Sequence, residues 1–151
     1  MAKEHFIKCI DENPKDTNAL YNIIYCFESL EQPDGAIQFL NGYLEADPFN
    51  EIAWHQLGRQ YVSKDLLKQA LSSYDFAIIC DNEFIGAYFE MGKTLKKMKR
   101  YNEAILAFET TLSIDDPTAF ALLHIGLCHF ELGNSELAIQ YFKRTLNEDP
   151  L

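Results

Sequence analysis

The chain has 151 residues, 48% hydrophobic and 24% charged, a composition typical of folded globular proteins. Its 13 Lys and Arg residues against 23 Asp and Glu residues give a formal charge of −10, which repels phosphate backbones and argues against nucleic acid as a partner. No apolar run approaches the roughly 18 residues that suggest a membrane span, so no membrane partner is expected.

The sequence repeats itself at an interval of 34 residues. The small residues that recur at this interval are Ala36, Ala70, Ala104 and Ala138, with Gly58, Gly92 and Gly126 as a second series. This is the length of a helix-turn-helix unit that cannot bury its apolar face alone and must stack on its neighbours. The interval therefore predicts a repeat protein with an extended surface, which favours binding of another protein.

The first predicted element is a half repeat over residues 1–16. It consists of a turn and a helix of the kind that comes second in each full repeat, called the B helix. Ala2, Phe6 and Cys9 occupy the positions of the second helix in the later repeats, and Pro14 occupies the position that closes a unit. The segment lacks the positive, apolar and small-residue order of a signal peptide. A chain that opens inside a repeat is expected to be an excerpt from a longer array.

Four full repeats follow, and together they are predicted to form one continuous repeat domain. Their bounds are 17–50, 51–84, 85–118 and 119–151. In each repeat, large apolar residues spaced three and four apart predict a first (A) helix, as in Trp54, Leu57 and Tyr61. A small residue followed four places later by a large one, such as Ala70 and Tyr74, predicts the second helix.

The recurring glycine and alanine are expected where the two helices of a repeat cross closely. Glycine inside a helix costs about 1 kcal/mol relative to alanine, so its return in three successive repeats requires a packing reason. The first repeat has Ile24 in place of this glycine and Tyr43 in place of a small residue in its second helix. Wider helix packing is therefore expected in that repeat.

The segment from Trp54 through Leu57 and Gly58 to Tyr61, followed by Ala70, Tyr74 and Ala77, resembles the tetratricopeptide repeat. The resemblance extends over nearly the whole chain and is most specific in the second to fourth repeats. It implies an all-α, right-handed α-solenoid of helix-turn-helix repeats. It also implies a non-catalytic protein-protein interaction module that binds a partner peptide or helix in its concave groove.

The same resemblance places fixed positions of each A helix on the concave face. From these positions the resemblance nominates Tyr21, Tyr25, His55, Arg59, Phe89, Lys93, Lys96, Lys97, Leu123, Leu127 and Phe130 as binding residues. Five of the 13 cations lie between Lys93 and Arg100, and none lies between Asp16 and Gly58. An aromatic and basic groove suits a protein or peptide segment that carries carboxylates and apolar anchors.

Other interpretations of these residues remain open. Lysines near the end of a helix offset its dipole, and aromatic residues at these positions also pack between neighbouring helices. The Lys and Asn clamp with which some members of the family hold a terminal carboxylate is not reproduced, because Glu90 stands where the second helix would supply Asn. An acidic surface on the first repeat could instead bind a basic partner.

Three other roles are also compatible with the sequence. Ile139 and Leu146 lie where the resemblance implies contact with a following helix, so the array could extend or self-associate through uncapped ends. The chain could be a recruiting or regulatory arm of a longer protein. It also resembles the small acidic repeat chaperones of bacterial secretion.

No motif for catalysis, phosphate binding or cofactor binding occurs, so the sequence predicts neither an enzyme nor a cofactor. His124, Cys128 and His129 lie close together on one predicted helix, but helix packing accounts for them and no metal site is expected. The four cysteines are Cys9, Cys26, Cys80 and Cys128, and they are expected to be buried, reduced thiols. A cytoplasmic location is therefore expected.

Overall fold

The computed structural model describes residues 16–115 and 118–148, and all the regular structure in these ranges is helical. The helices in the described ranges are α1 (Thr17–Ser29), α2 (Pro33–Ala46), α3 (Glu51–Ser63), α4 (Leu67–Cys80), α5 (Ile85–Lys97), α6 (Tyr101–Ile114), α7 (Ala119–Glu131) and α8 (Ser135–Glu148). The all-α, helix-turn-helix fold class expected from the sequence is confirmed. The half-repeat helix predicted within residues 1–16 lies outside the described residues.

The chain divides into two compact units, residues 1–82 and 83–151. In the described part of the first unit, α1 packs on α2, α2 on α3 and α3 on α4, and α1 also contacts α3. In the second unit, α5 packs on α6, α6 on α7 and α7 on α8, and α5 also contacts α7. In each unit the odd-numbered helices thus lie side by side. None of the described helices is long and apolar enough to cross a membrane.

Short polar side chains start three of the odd-numbered helices. Asp16 and Asn50 accept hydrogen bonds from the backbone N–H groups of Ala19 and Ala53, at 3.0 and 2.9 Å. Thr118 accepts from the N–H of the third residue after it, at 3.3 Å. These bonds satisfy helix N–H groups that have no partner within the helix, and each such cap is typically worth about 1 kcal/mol.

A left-handed residue ends the odd-numbered helix of each repeat. The residues with positive φ are Glu31, Asp65, Lys99 and Gly133, at 52°, 59°, 62° and 83°. Each lies just beyond the end of its helix, where one left-handed residue lets the last carbonyl groups accept hydrogen bonds from the turn. The Leu66 N–H, for example, donates to the Tyr61 carbonyl at 2.9 Å.

The helices of a repeat cross where the recurring glycine lies. A Cβ atom on Gly58 would lie 2.4 Å from a ring carbon of Tyr74, and one on Gly92 would lie 2.7 Å from the ring of Phe108. One on Gly126 would lie 2.6 Å from the ring of the aromatic residue at the same position of α8. The structure confirms that the glycine series is required by close packing of an aromatic ring.

The first repeat departs from this packing, as the sequence predicts. Ile24 replaces the glycine and is buried, and α1 and α2 have less close backbone contact than the helix pairs of the later repeats. The expectation of buried cysteines is correct for Cys128 but wrong for Cys26 and Cys80, which are half-buried. Their positions near helix ends leave part of each thiol at the surface, and Cys9 lies outside the described residues.

Candidate functional site

The odd-numbered helices of the first unit border a surface cavity of about 290 Å³. Tyr21 and Tyr25 line it from α1, and Arg59 lines it from α3. The two tyrosines are 40% and 68% exposed, which leaves their rings available to a ligand. Three of the residues predicted to bind a partner therefore lie together here.

The charge of Arg59 is partly neutralised inside this cavity. Its Nη1 donates to Gln56 Oε1 at 3.0 Å and lies 3.7 Å from Glu28 Oε1. The same Glu28 oxygen accepts a hydrogen bond from Nε2 of Gln60 at 2.9 Å. The two glutamines are buried, so they hold Arg59 and Glu28 in place. The cavity is consequently aromatic and close to neutral.

His55 turns away from solvent and toward the second helix of its repeat. Its ring lies 6.0 Å from the ring of Tyr74, centroid to centroid. Burial, followed by the nearby Arg59 charge, lowers the pKa of His55 to about 4. The side chain is therefore a neutral packing group at pH 7, unlike the exposed tyrosines on the neighbouring helix.

In the second unit, lysines from α5 line a cavity of about 270 Å³. Lys93, Lys96 and Lys97 lie on one side, and Leu127 of α7 lies on the other. We call these four residues with the space between them the lysine cavity. Tyr101 and Glu131 complete its lining. Four of the predicted binding residues are thus brought together, three of them carrying positive charge.

Each of two lysines is fixed by a neighbour. Lys96 Nζ lies 2.8 Å from Nδ1 of His124. Burial, followed by the charges of Lys96 and Lys93, lowers the pKa of His124 to about 4, so the neutral ring accepts a hydrogen bond from the ammonium group. Lys93 lies over the ring of Phe89, with Nζ 5.6 Å from the centroid, and 3.5 Å from Glu90.

The two side chains that hold the lysines, Phe89 and His124, are themselves packed against other aromatic rings. Phe89 makes edge contacts with Phe108 and His124, with centroids 5.6 Å apart in both pairs. Phe108 and His124 stack at 5.1 Å. Phe89 therefore serves mainly to pack the second unit, whereas Leu123 and Phe130 are exposed on α7 at 36% and 59%.

Several residues that shape these cavities were missing from the sequence prediction. Glu28 and Glu131 occupy positions of the repeat that the resemblance directs toward the groove, so the register alone could have identified them. No periodic signal identifies Gln56 or Tyr101. The repeat spacing likewise gives no sign of the hydrogen bond that His124 accepts from Lys96.

Family comparison matches two segments of the chain, residues 2–61 and 89–151, to models described as tetratricopeptide repeat. Among curated proteins, mouse DnaJ homolog subfamily C member 7 is 31% identical over 106 residues, covering 70% of this chain and 20% of that protein. Mouse superkiller complex protein 3 is 27% identical over 122 residues, covering 76% of this chain and 8% of that protein. The chain thus spans a fifth or less of the length of these relatives.

A solved structure of MamA has the same fold. It superimposes with a TM-score of 0.85 at 24% sequence identity, covering 97% of this chain and 86% of that one. At this level of identity, the similarity supports the helical repeat fold and carries no information about ligands.

Proposed function

Since the chain belongs to the tetratricopeptide repeat family, we propose that it acts without catalysis, holding a segment of a partner protein against its odd-numbered helices. The observation that carries this proposal is the lysine cavity, where three ammonium groups border one space with the apolar side chain of Leu127 and outnumber its one carboxylate, Glu131. This combination suits a ligand that has both negative charge and apolar groups.

The chemistry of the lysine cavity defines the partner segment. Lys93 and Lys96 are already oriented by Phe89 and His124, so a ligand does not have to order them fully. Their charges attract carboxylates, while Leu127 and the exposed side chains of α7 provide contact for apolar groups. A segment with Asp or Glu next to large apolar residues fits best.

The first unit contributes a different type of contact. Tyr21 and Tyr25 present large rings that have few rotatable bonds, and aromatic residues of this kind often dominate binding energy. Arg59 remains partly exposed beside them, although Glu28 offsets its charge. This cavity favours apolar or aromatic side chains over a carboxylate.

The proposal is tested by capture from a lysate of the source cells, using wild type and two triple variants. One variant, Lys93→Ser with Lys96→Ser and Lys97→Ser, removes the three positive charges of the lysine cavity. The matched control removes three cations from other exposed positions of the same unit, through Lys99→Asn, Lys143→Ser and Arg144→Ser. Asparagine replaces Lys99 because it tolerates the left-handed backbone at that position.

Wild type and control are expected to capture a protein that the cavity variant loses. Truncation of that protein should map its binding to a segment with carboxylates and large apolar residues. Capture of the same proteins by all three would overturn the proposal.

A second candidate function, self-association, is favoured by the exposed apolar residues of α8. Ile139 and Leu146 are 51% and 60% exposed and lie seven residues apart on one face of the helix. Analytical ultracentrifugation would show an assembly whose mass rises with concentration and that Ile139→Glu abolishes. A monomer at all concentrations would exclude this function.

A further inference from the structure

A second apolar surface lies in the first unit, away from the residues predicted to bind a partner. It consists of Phe49 in the turn before α3, Trp54 of α3, and Phe76 and Ile79 of α4. We call these four residues the apolar patch. Phe49, Phe76 and Ile79 are 78%, 47% and 74% exposed. Large apolar side chains grouped at a surface typically mark an interaction site.

The apolar patch is held in place by contacts within the unit. The Trp54 indole N–H donates to the carbonyl of Pro48 at 2.8 Å. Its ring stacks on Phe76 with centroids 4.5 Å apart and an angle of 24° between the planes. Phe76 and Ile79 are three residues apart on α4, so they lie on the same face of the helix. A ligand therefore meets a preformed surface.

Carboxylates border the apolar patch. Burial raises the pKa of the Cys80 thiol, and so do the nearby carboxylates of Glu51 and Asp47. Cys80 Sγ lies 4.0 Å from the Pro48 carbonyl, which places the end of α4 beside the turn that carries Phe49. Asp75 lies one helical turn before Ile79.

Carboxylates outnumber cations near the apolar patch. The nearest cations in the sequence are Arg59, which is 3.7 Å from Glu28, and Lys68, which lies two helical turns before Phe76. Lys and Arg are otherwise absent from residues 16–58 and from residues 69–92, which include all four residues of the apolar patch. The patch is therefore an apolar surface in a negative field.

We propose that the apolar patch binds a protein segment that presents two or three apolar side chains flanked by Lys or Arg. The apolar side chains of the partner would cover Phe49, Ile79 and the stacked rings of Trp54 and Phe76. Its flanking cations would pair with the surrounding carboxylates. The carboxylates disfavour an anionic lipid surface. They also disfavour a second copy of this chain, whose formal charge is −10. The required partner has the opposite charge to the one expected at the lysine cavity.

Selection from a random library of 16-residue peptides displayed on phage tests the partner chemistry. The full chain is immobilised, and binders that also bind a patch variant, Phe49→Ser with Ile79→Ser, are removed. Both substituted residues are highly exposed, so the variant is expected to fold, and circular dichroism checks this. The matched control is Phe120→Ser with Leu106→Ser, which removes two side chains that are 69% and 64% exposed in the second unit.

Selected peptides are expected to share apolar residues flanked by Lys or Arg. Fluorescence anisotropy should give at least a tenfold weaker affinity for the patch variant and an unchanged affinity for the control. A charge-reversed pair, Glu51→Lys with Asp75→Lys, should also weaken binding, and the loss should shrink at high salt.

Selection of acidic peptides, selection of peptides with no common sequence, or the loss of all binders when those of the patch variant are removed would overturn the proposal. Two further outcomes would also overturn it by assigning a different occupant. One is self-association of wild type in ultracentrifugation that the patch variant loses. The other is patch-dependent binding to phosphatidylserine vesicles.

Discussion

Gly58→Ala is expected to destabilise the protein, although alanine normally stabilises a helix relative to glycine by about 1 kcal/mol. The added Cβ would lie 2.4, 2.7 and 2.8 Å from three ring atoms of Tyr74, whose side chain is fully buried and cannot swing into solvent. Overpacking of this kind costs about 1–3 kcal/mol, typically more than the helix-propensity gain. A net loss of about 1 kcal/mol follows, which lowers the melting temperature by about 2–4 °C in a chain of this size.

Urea titration followed by circular dichroism and by fluorescence measures this loss. Trp54 is the only tryptophan and lies on the same helix as Gly58, so its fluorescence reports unfolding of the first unit. Gly42→Ala is the matched control, because Gly42 is also inside a helix but has no atom within 4 Å of an added Cβ. The control should gain about 0.5–1 kcal/mol. Equal gains in both variants would refute the close-crossing argument.

Two further predictions concern packing and pH. Ala104→Leu should cost about 1–3 kcal/mol in unfolding free energy, since Ala104 is fully buried, and an unchanged melting temperature would contradict this. The folded-state pKa values of His55 and His124 lie near 4, below the usual 6.5, so the unfolded chain binds more protons between these pH values. The stability that the two neutral histidines contribute should therefore be fully present above pH 6.5 and be lost as the pH falls toward 4. When both histidines are substituted with Gln, the urea midpoint should change less across this pH range.

The sequence alone was sufficient to predict the repeat architecture. The interval of 34 residues and the three- and four-residue spacing of apolar positions predict the helices. The cost of glycine inside a helix predicts close crossings at Gly58, Gly92 and Gly126, as the structure confirms. These features are local or strictly periodic, so a linear sequence contains them in full.

The candidate site was predictable only in part. Register placed Lys93, Lys96 and Lys97 on one helix, but their relation to Leu127 and His124 depends on how α5 packs beside α7. The position of a residue in the repeat predicts the helix face on which its side chain lies, but it does not predict which side chains it contacts.

The sequence by itself therefore determined the fold class and the composition of each helix face. Only the tertiary structure decided the charge of each cavity, because Glu28 and Arg59 lie 31 residues apart and meet only when α1 lies beside α3. It also decided that His55 is a packing group, and that Trp54 and Phe76 stack within an exposed apolar surface. Electrostatic and aromatic contacts act over a few ångströms, and repeat spacing does not specify which side chains come within that distance.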